Sequence, residues 1–226
     1  PVTERSGYQV ETNAFWYDML CFAIEMESKY GRKTSGFVEK SSPVRDMVAE
    51  NYQKMFWMPD KGYLADYVDN YGQNADARPN QLFSLAVHHQ PVDDTVLGSI
   101  MNVVDRELVT SRGIRTLSPR DLKYKGVYEG TQKERDMAYH QGCAWPALLL
   151  PYARIKFRMD GAAFCKRAEW LMEGFYDDLN KHGVGMFSEL YDGDPPHEPH
   201  GAISSAMSTA ALLYVENLIN KYKEER

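Results

Sequence analysis

Seven segments of helical periodicity, joined by unusually long polar loops, leave this chain little choice but a helical fold. They cover residues 11–30, 42–55, 80–87, 93–108, 144–156, 161–181 and 202–221. In the first, Asn13, Trp16, Tyr17, Leu20, Ile24 and Glu27 recur on one stripe, and Gly31 ends it. Ser41-Ser42-Pro43 reads as a cap with Pro in the first turn of the second. Pro91-Val92-Asp93-Asp94 is a similar start signal for the fourth. Residues 202–219 are apolar on nearly every face, the pattern of a helix buried on both sides. No βαβ rhythm, Gly-rich phosphate loop or internal repeat is present. Short alternating stretches at 56–69 and 185–194 predict small paired strands. The expected class is therefore all-α with small β-hairpins. Loops 61–78, 110–139 and 181–201 exceed ordinary connection lengths, and long ordered loops tend to carry function.

A length of 226 residues fits one domain, residues 1–226, and is enough to bury a core. A net charge of −6 with acids and bases interspersed lacks the basic face that nucleic acid requires. No apolar run approaches the roughly 20 residues of a membrane helix. The longest, 144–152, is broken by Pro146 and Pro151. There is no signal peptide, and a start at Pro1 rather than Met points to a processed or excised piece. Cys21, Cys143 and Cys165 fit no zinc or disulfide spacing and read as reduced core residues of a cytoplasmic protein. Fifteen Tyr and four Trp read by default as core filler, and they are also what a sugar site uses, where rings stack on pyranose faces.

The loop SELYDGDPPHEPHG, residues 188–201, holds two Glu, two Asp, two His and three Pro. Its prolines exclude helix or central strand. Two readings stand side by side: a polar connector, or a stiff loop holding a carboxylate such as Glu189 at a fixed point.

Residues VETNAFWYDML (10–20), ARPNQLF (77–83), TLSP (116–119), YEG (128–130), AYHQGCAWP (138–146) and FSELYDGDPPHEPHG (187–201) occur in one order at loop-to-helix junctions. Together they resemble the amylo-α-1,6-glucosidase domain of glycogen debranching enzymes, over almost the whole chain. The resemblance implies an (α/α)6 toroid with its site in the funnel at one end of the inner ring. Seven helices fall short of twelve, so the chain is expected to be the C-terminal portion of an N-terminally incomplete toroid. Implied too are a branched α-glucan substrate (glycogen or limit dextrin), no cofactor and no metal. The activity implied is removal of the single glucose at an α-1,6 branch point with inversion. Inversion needs a protonated carboxyl group and an ionised one about 6.5–9.5 Å apart.

Glu189 matches the family's general base. Asp192 either contacts sugar or orients its loop, and Asp194 is expected to be structural. His197, His200 and Glu198 fit no zinc spacing and read as hydrogen-bonding groups of the loop. Arg78 and Gln81 resemble glucose-binding positions, although Arg78 has an equal alternative in pairing with Asp76. Tyr139, His140 and Gln141 lead to Trp145, read as an aromatic wall or as a core residue. Asn13 and Trp16 carry the same two readings, and Glu129 binds a hydroxyl or supports Arg78. The family's general acid, an Asp in Trp-Met-Asp, has no counterpart in these residues, since Trp57-Met58 is followed by Pro59. The alternatives are a toroid glucosidase for another α-glucoside, trehalose among them, or a glycan-binding fragment without turnover.

Overall fold

The computed structural model describes residues 2–31 and 36–224. It divides into two units, Arg5–Val103 and a second of Val104–Arg226 with the first four residues. In the first, strand β1 (Tyr8–Gln9) leads into helix α1 (Val10–Tyr30). Its buried residues are Val10, Ala14, Cys21 and Ile24, which recur one or two turns apart, and the helix packs on α2 (Phe37–Phe56). This differs from the expected stripe: Trp16 is 41% exposed, so the buried face is rotated away from it. Helix α2 also starts earlier than its Ser-Ser-Pro signal implied, at Gly36 (φ +62°), and Pro43 lies inside it. Pro43 is solvent-exposed and removes one intrahelical donor near the helix start, where the turn preceding it is already formed.

Beyond α2, β2 (Trp57–Met58) and β3 (Tyr63–Leu64) pair as a hairpin, as the alternation at 56–69 predicts. Strands β4 (Tyr67–Asp69) and β5 (Gly72–Gln73) join β1 in a three-stranded antiparallel sheet. Short helix α3 (Gln81–Ala86) lies on α1, and Tyr52 OH donates to Val10 O (2.7 Å) beside Ser84. Buried Asp66 anchors the turns. It accepts from Arg5 (2.7 Å) and Asn80 (2.8 Å), with Arg78 Nε at 3.8 Å. Burial pushes its carboxyl up, and the neighbouring cations offset part of that rise.

Helix α4 (Asp94–Glu107) crosses the unit boundary. The second unit holds a five-stranded antiparallel sheet with more strands than a hairpin. From one edge it runs Pro199–His200, Leu190–Tyr191, Ala144–Trp145, Gly113–Arg115 and Val109–Thr110. In chain order the last two are β6 (Val109–Thr110) and β7 (Gly113–Arg115), followed by helix α5 (Gln132–Gln141) and β8 (Ala144–Trp145). Helix α5 falls inside an expected loop. Its signal was legible: Thr131 accepts from Glu134 N–H and the Glu134 carboxylate accepts from Thr131 N–H, a reciprocal cap written T-x-x-E. Conversely, the helix expected from Ala144 begins at Leu149, because Pro146 forces Trp145 into extended backbone (φ −116°, ψ 119°).

Helices α6 (Leu149–Asp160) and α7 (Cys165–Tyr176) follow. The expected continuation to 181 is instead a run of tight turns: Asp178, buried, holds Arg112 Nε (2.6 Å) and Lys181 (3.1 Å). Strands β9 (Leu190–Tyr191) and β10 (Pro199–His200) precede α8 (Ala206–Glu224), which packs on α6 and α7. Only one face of α8 is buried: Ser208, Ala211, Leu212, Val215 and Ile219. Met207 and Leu213 are about 60% exposed, which corrects the expectation of burial on both sides. Overall the chain is mostly helical with small sheets, and among the described residues no helix is long and apolar enough to cross a membrane.

Candidate active site

Glu189 enters β9 from the loop after α7, and its backbone N–H donates to Ala202 O (3.0 Å). In an ordinary strand pair the reciprocal bond would run from Ala202 N–H to the Glu189 carbonyl. Here that N–H donates to the Glu189 side chain, at 2.9 Å from Oε2. The other oxygen, Oε1, accepts from Tyr139 OH (2.8 Å). Each carboxylate oxygen thus has one fixed donor, and the group is half-buried rather than loose in solvent. Gly201 between strand and helix adopts φ +73°, and a Cβ there would stand 2.6 Å from Oε2. Only glycine fits that place.

Tyr139 is itself held on both sides. Its ring meets Trp145 edge-on (4.6 Å, 82°) and His140 edge-on (5.0 Å, 70°), and packs with Tyr128 against Ala138, Cys143 and Leu190. Burial, then the bond to Glu189, raises the Tyr139 phenol, so it remains a donor across neutral pH. Burial also pushes the Cys143 thiol up to about 12, which leaves it unreactive. The Trp145 indole N–H is buried with no acceptor among the described residues. His140 is exposed and Gln141 buried, its carbonyl accepting from Lys125 N–H (2.8 Å).

The remainder of the loop is braced. Asp192 is buried; Oδ1 accepts from Tyr128 N–H (2.7 Å) and stands 3.0 Å from His200 Nε2. The Tyr128 ring lies on His200 (5.2 Å). His197, in left-handed backbone, lies 2.8 Å from Asp192 O, and burial lowers its imidazole, favouring the neutral ring. Asp194 accepts from Tyr124 OH (2.8 Å), and Arg115 Nε donates to Gly193 O (2.9 Å). Such contacts brace Asp192 and the loop that carries it. Glu129, next to Tyr128, is exposed. Sequence reasoning had not singled out Gly201, Ala202 or Tyr128, because a backbone N–H and a glycine approach carry no distinctive side chain. Among the described residues no three His, Cys, Asp or Glu side chains gather as a metal site.

The other expected site residues lie in the first unit. Arg78 is buried, 3.3 Å from Asp76 and 3.8 Å from Asp66, the pairing alternative of its two readings. Gln81 is 1% exposed; its amide oxygen accepts from Leu64 N–H (3.2 Å) and its nitrogen donates to Arg78 O (2.9 Å). Both ends of the Gln81 amide are thus engaged by backbone groups. Asn13 Nδ2 donates to Gln9 O (2.8 Å) within the first turn of α1, and Trp16 presents its ring to solvent.

Against known proteins, residues 1–214 match the model of the family described as amylo-alpha-1,6-glucosidase. Glycogen debranching enzyme of Saccharomyces cerevisiae (strain ATCC 204508 / S288c) is 26% identical over 236 residues, which is 85% of this chain and 15% of that protein. The solved structure of neutral trehalase from the same yeast superposes with a TM-score of 0.65 at 12% identity. That superposition covers 94% of this chain and 38% of the trehalase chain, and it shows a shared fold. The family match takes in nearly every residue of the loops described above, and on it this chain belongs to the amylo-α-1,6-glucosidase family.

Proposed function

We propose that this chain carries the general-base half of an inverting α-1,6-glucosidase site, built on an (α/α)6 toroid and acting on branched α-glucan. The observation that carries the reading is the Glu189 carboxylate, held at both oxygens beside the Tyr139–Trp145 wall. A general base must reach one water with little freedom, and two fixed donors leave each oxygen a lone pair aimed outward. The ionised Glu189 takes a proton from that water as the water attacks the anomeric carbon, opposite the departing oxygen. The glucose leaves as the β-anomer. Trp145 supplies an apolar ring edge beside Tyr139 for a pyranose face. Asp192, His140, Gln141 and Glu129 shape or rim the same loops.

The proton donor is the other half. None of the 226 residues forms the family's Trp-Met-Asp sequence. Without a donor, a sugar alcohol must leave as an alkoxide, and positioned acid catalysis is worth about 10²–10⁴ in rate. Limit dextrin should therefore turn over very slowly on this chain alone. α-D-Glucosyl fluoride separates the two roles, because fluoride departs without protonation. The chain should release fluoride and initial β-glucose, seen by NMR before mutarotation, and Glu189→Gln should abolish both while the fold persists. Full release by the Gln variant removes Glu189 from the mechanism; initial α-glucose overturns inversion. The missing acid also favours a second reading, a glycan-binding chain without turnover, which predicts sugar binding with no fluoride release from either form.

A further inference from the structure

The first unit contains a cavity of about 580 Å³ that shares no residue with the Glu189 group. Its walls come from three elements: Tyr17 on α1, Glu50, Gln53 and Lys54 on the last turns of α2 running on to Trp57, and the segment Gln90–Asp93 before α4. We propose that it is a second, non-catalytic site for a short run of glucose units.

Three properties of the lining select a neutral sugar. The first is the combination of two partly exposed aromatic rings, Trp57 and Tyr17, with amide and carboxylate groups. Pyranose rings present apolar C–H faces and equatorial hydroxyls together, so they need ring faces and hydrogen-bonding groups in one concavity. The second is charge. Lys54 and Glu50 pair with each other at 2.8 Å, which leaves Asp93 as the one other ionic side chain of the lining, too little charge to select an anion or a multivalent cation. The third is preorganisation. Gln53 Oε1 accepts from Asp93 N–H (2.7 Å), which fixes the side chain and turns its amide N–H pair away from that bond, with no partner among the described residues. Asp93 is fixed in turn by accepting from Thr95 N–H (2.8 Å). Behind Trp57 the backbone is anchored by the pairing with Leu64 and by the Gln73 amide donating to its carbonyl (3.2 Å). A rigid donor beside a braced indole costs little further ordering when a sugar binds. A cavity of this size lies in the ordinary range for small-ligand sites, roughly 300–1,000 Å³.

The choice of an α-glucan over other sugars rests on the proposed function. A branched polymer brings many chain segments to the protein at once, and a second site raises the effective concentration of branch points near the first. The test uses this chain with maltoheptaose as probe and cellohexaose as control, measured by calorimetry. To silence the proposed catalytic site, titrations are repeated in Trp145→Ala. Maltoheptaose should bind both forms. Trp57→Ala should weaken binding at least about tenfold, the scale of losing one stacked ring in a sugar site. Because Trp57→Ala could unsettle the hairpin, Gln53→Glu is the partner variant: it keeps the acceptor for Asp93 N–H and removes the free donors, at the cost of one added negative charge in a lining that binds a neutral sugar. It should weaken binding by a similar factor with an unchanged thermal midpoint. Wild-type affinity in both variants, loss of all binding in Trp145→Ala, or no binding at millimolar maltoheptaose would overturn the site. Equal affinity for cellohexaose would overturn the α-glucan assignment. Fluoride release by the wild-type chain is read separately, so failure of the Glu189 mechanism and failure of this cavity give different patterns.

Discussion

Replacing Gly201 by Ala tests the Glu189 site at its narrowest point. The added methyl would stand 2.6 Å from Glu189 Oε2, 3.0 Å from its Cβ and 3.3 Å from its Cδ. Ordinary contacts begin near 3.4 Å, so the carboxylate must withdraw by about 0.8 Å from Oε2's present place. Rotation of the carboxylate alone does not relieve the contact with Cβ, and any larger retreat breaks the bond from Ala202 N–H or from Tyr139 OH. A misplacement near 1 Å costs on the order of 10² in rate. The variant also pays left-handed strain at φ +73°, about 1–2 kcal/mol of stability. Gly185 supplies the control. It has φ +69° and open space around its missing Cβ, so Gly185→Ala carries the same backbone strain without touching Glu189. Initial rates of fluoride release from α-glucosyl fluoride should fall about 10²-fold for Gly201→Ala with little change in KM, while Gly185→Ala keeps its rate. Both should lower the thermal midpoint. Equal rates in the two variants would refute the claim that Gly201 positions the base.

Tyr139→Phe keeps the ring against Trp145 and removes one donor from Glu189. One hydrogen bond to a charged group contributes about 1.5–3 kcal/mol, so the fluoride-release rate should drop about tenfold or more, with circular dichroism unchanged. The raised Tyr139 phenol stays protonated above its ordinary value near 10, so the wild-type rate should show no loss from its ionisation up to about pH 10. At the other unit's His89, both ring nitrogens lie 2.8 Å from carboxylates, Asp18 and Glu25 of α1. Burial alone would lower this imidazole, but the bonds to Glu25 and Asp18 outweigh it and its value is raised. A raised folded value means the clamp is fully present below the unfolded value near 6.5 and is lost as pH rises through the folded one. Melting midpoints followed upward from pH 6 should therefore fall more for wild type than for His89→Gln; parallel curves would remove the clamp.

Local physics decided much of this protein from the sequence alone. The seven periodic segments all contain helix, because 3.6-residue spacing of apolar side chains has no other compact solution. The loop at 188–201 could not be helical with Pro195, Pro196 and Pro199 in it, and the motif around Glu189 stood out by its resemblance to the family. Even α5 was legible in Thr131 and Glu134, a cap that acts within four residues. Tertiary structure decided whatever depended on partners distant in sequence. Which stripe of α1 is buried turned on where α2 and α3 lie, and it left Trp16 outside. Arg78 reads equally as a sugar contact or an ion pair until Asp66 and Asp76 come beside it. The same holds at Glu189. Its chemistry is written in one letter, but its aim comes from a phenol fifty residues upstream and a backbone N–H thirteen residues downstream. Backbone donors have no sequence identity, so only folding could bring that clamp into view.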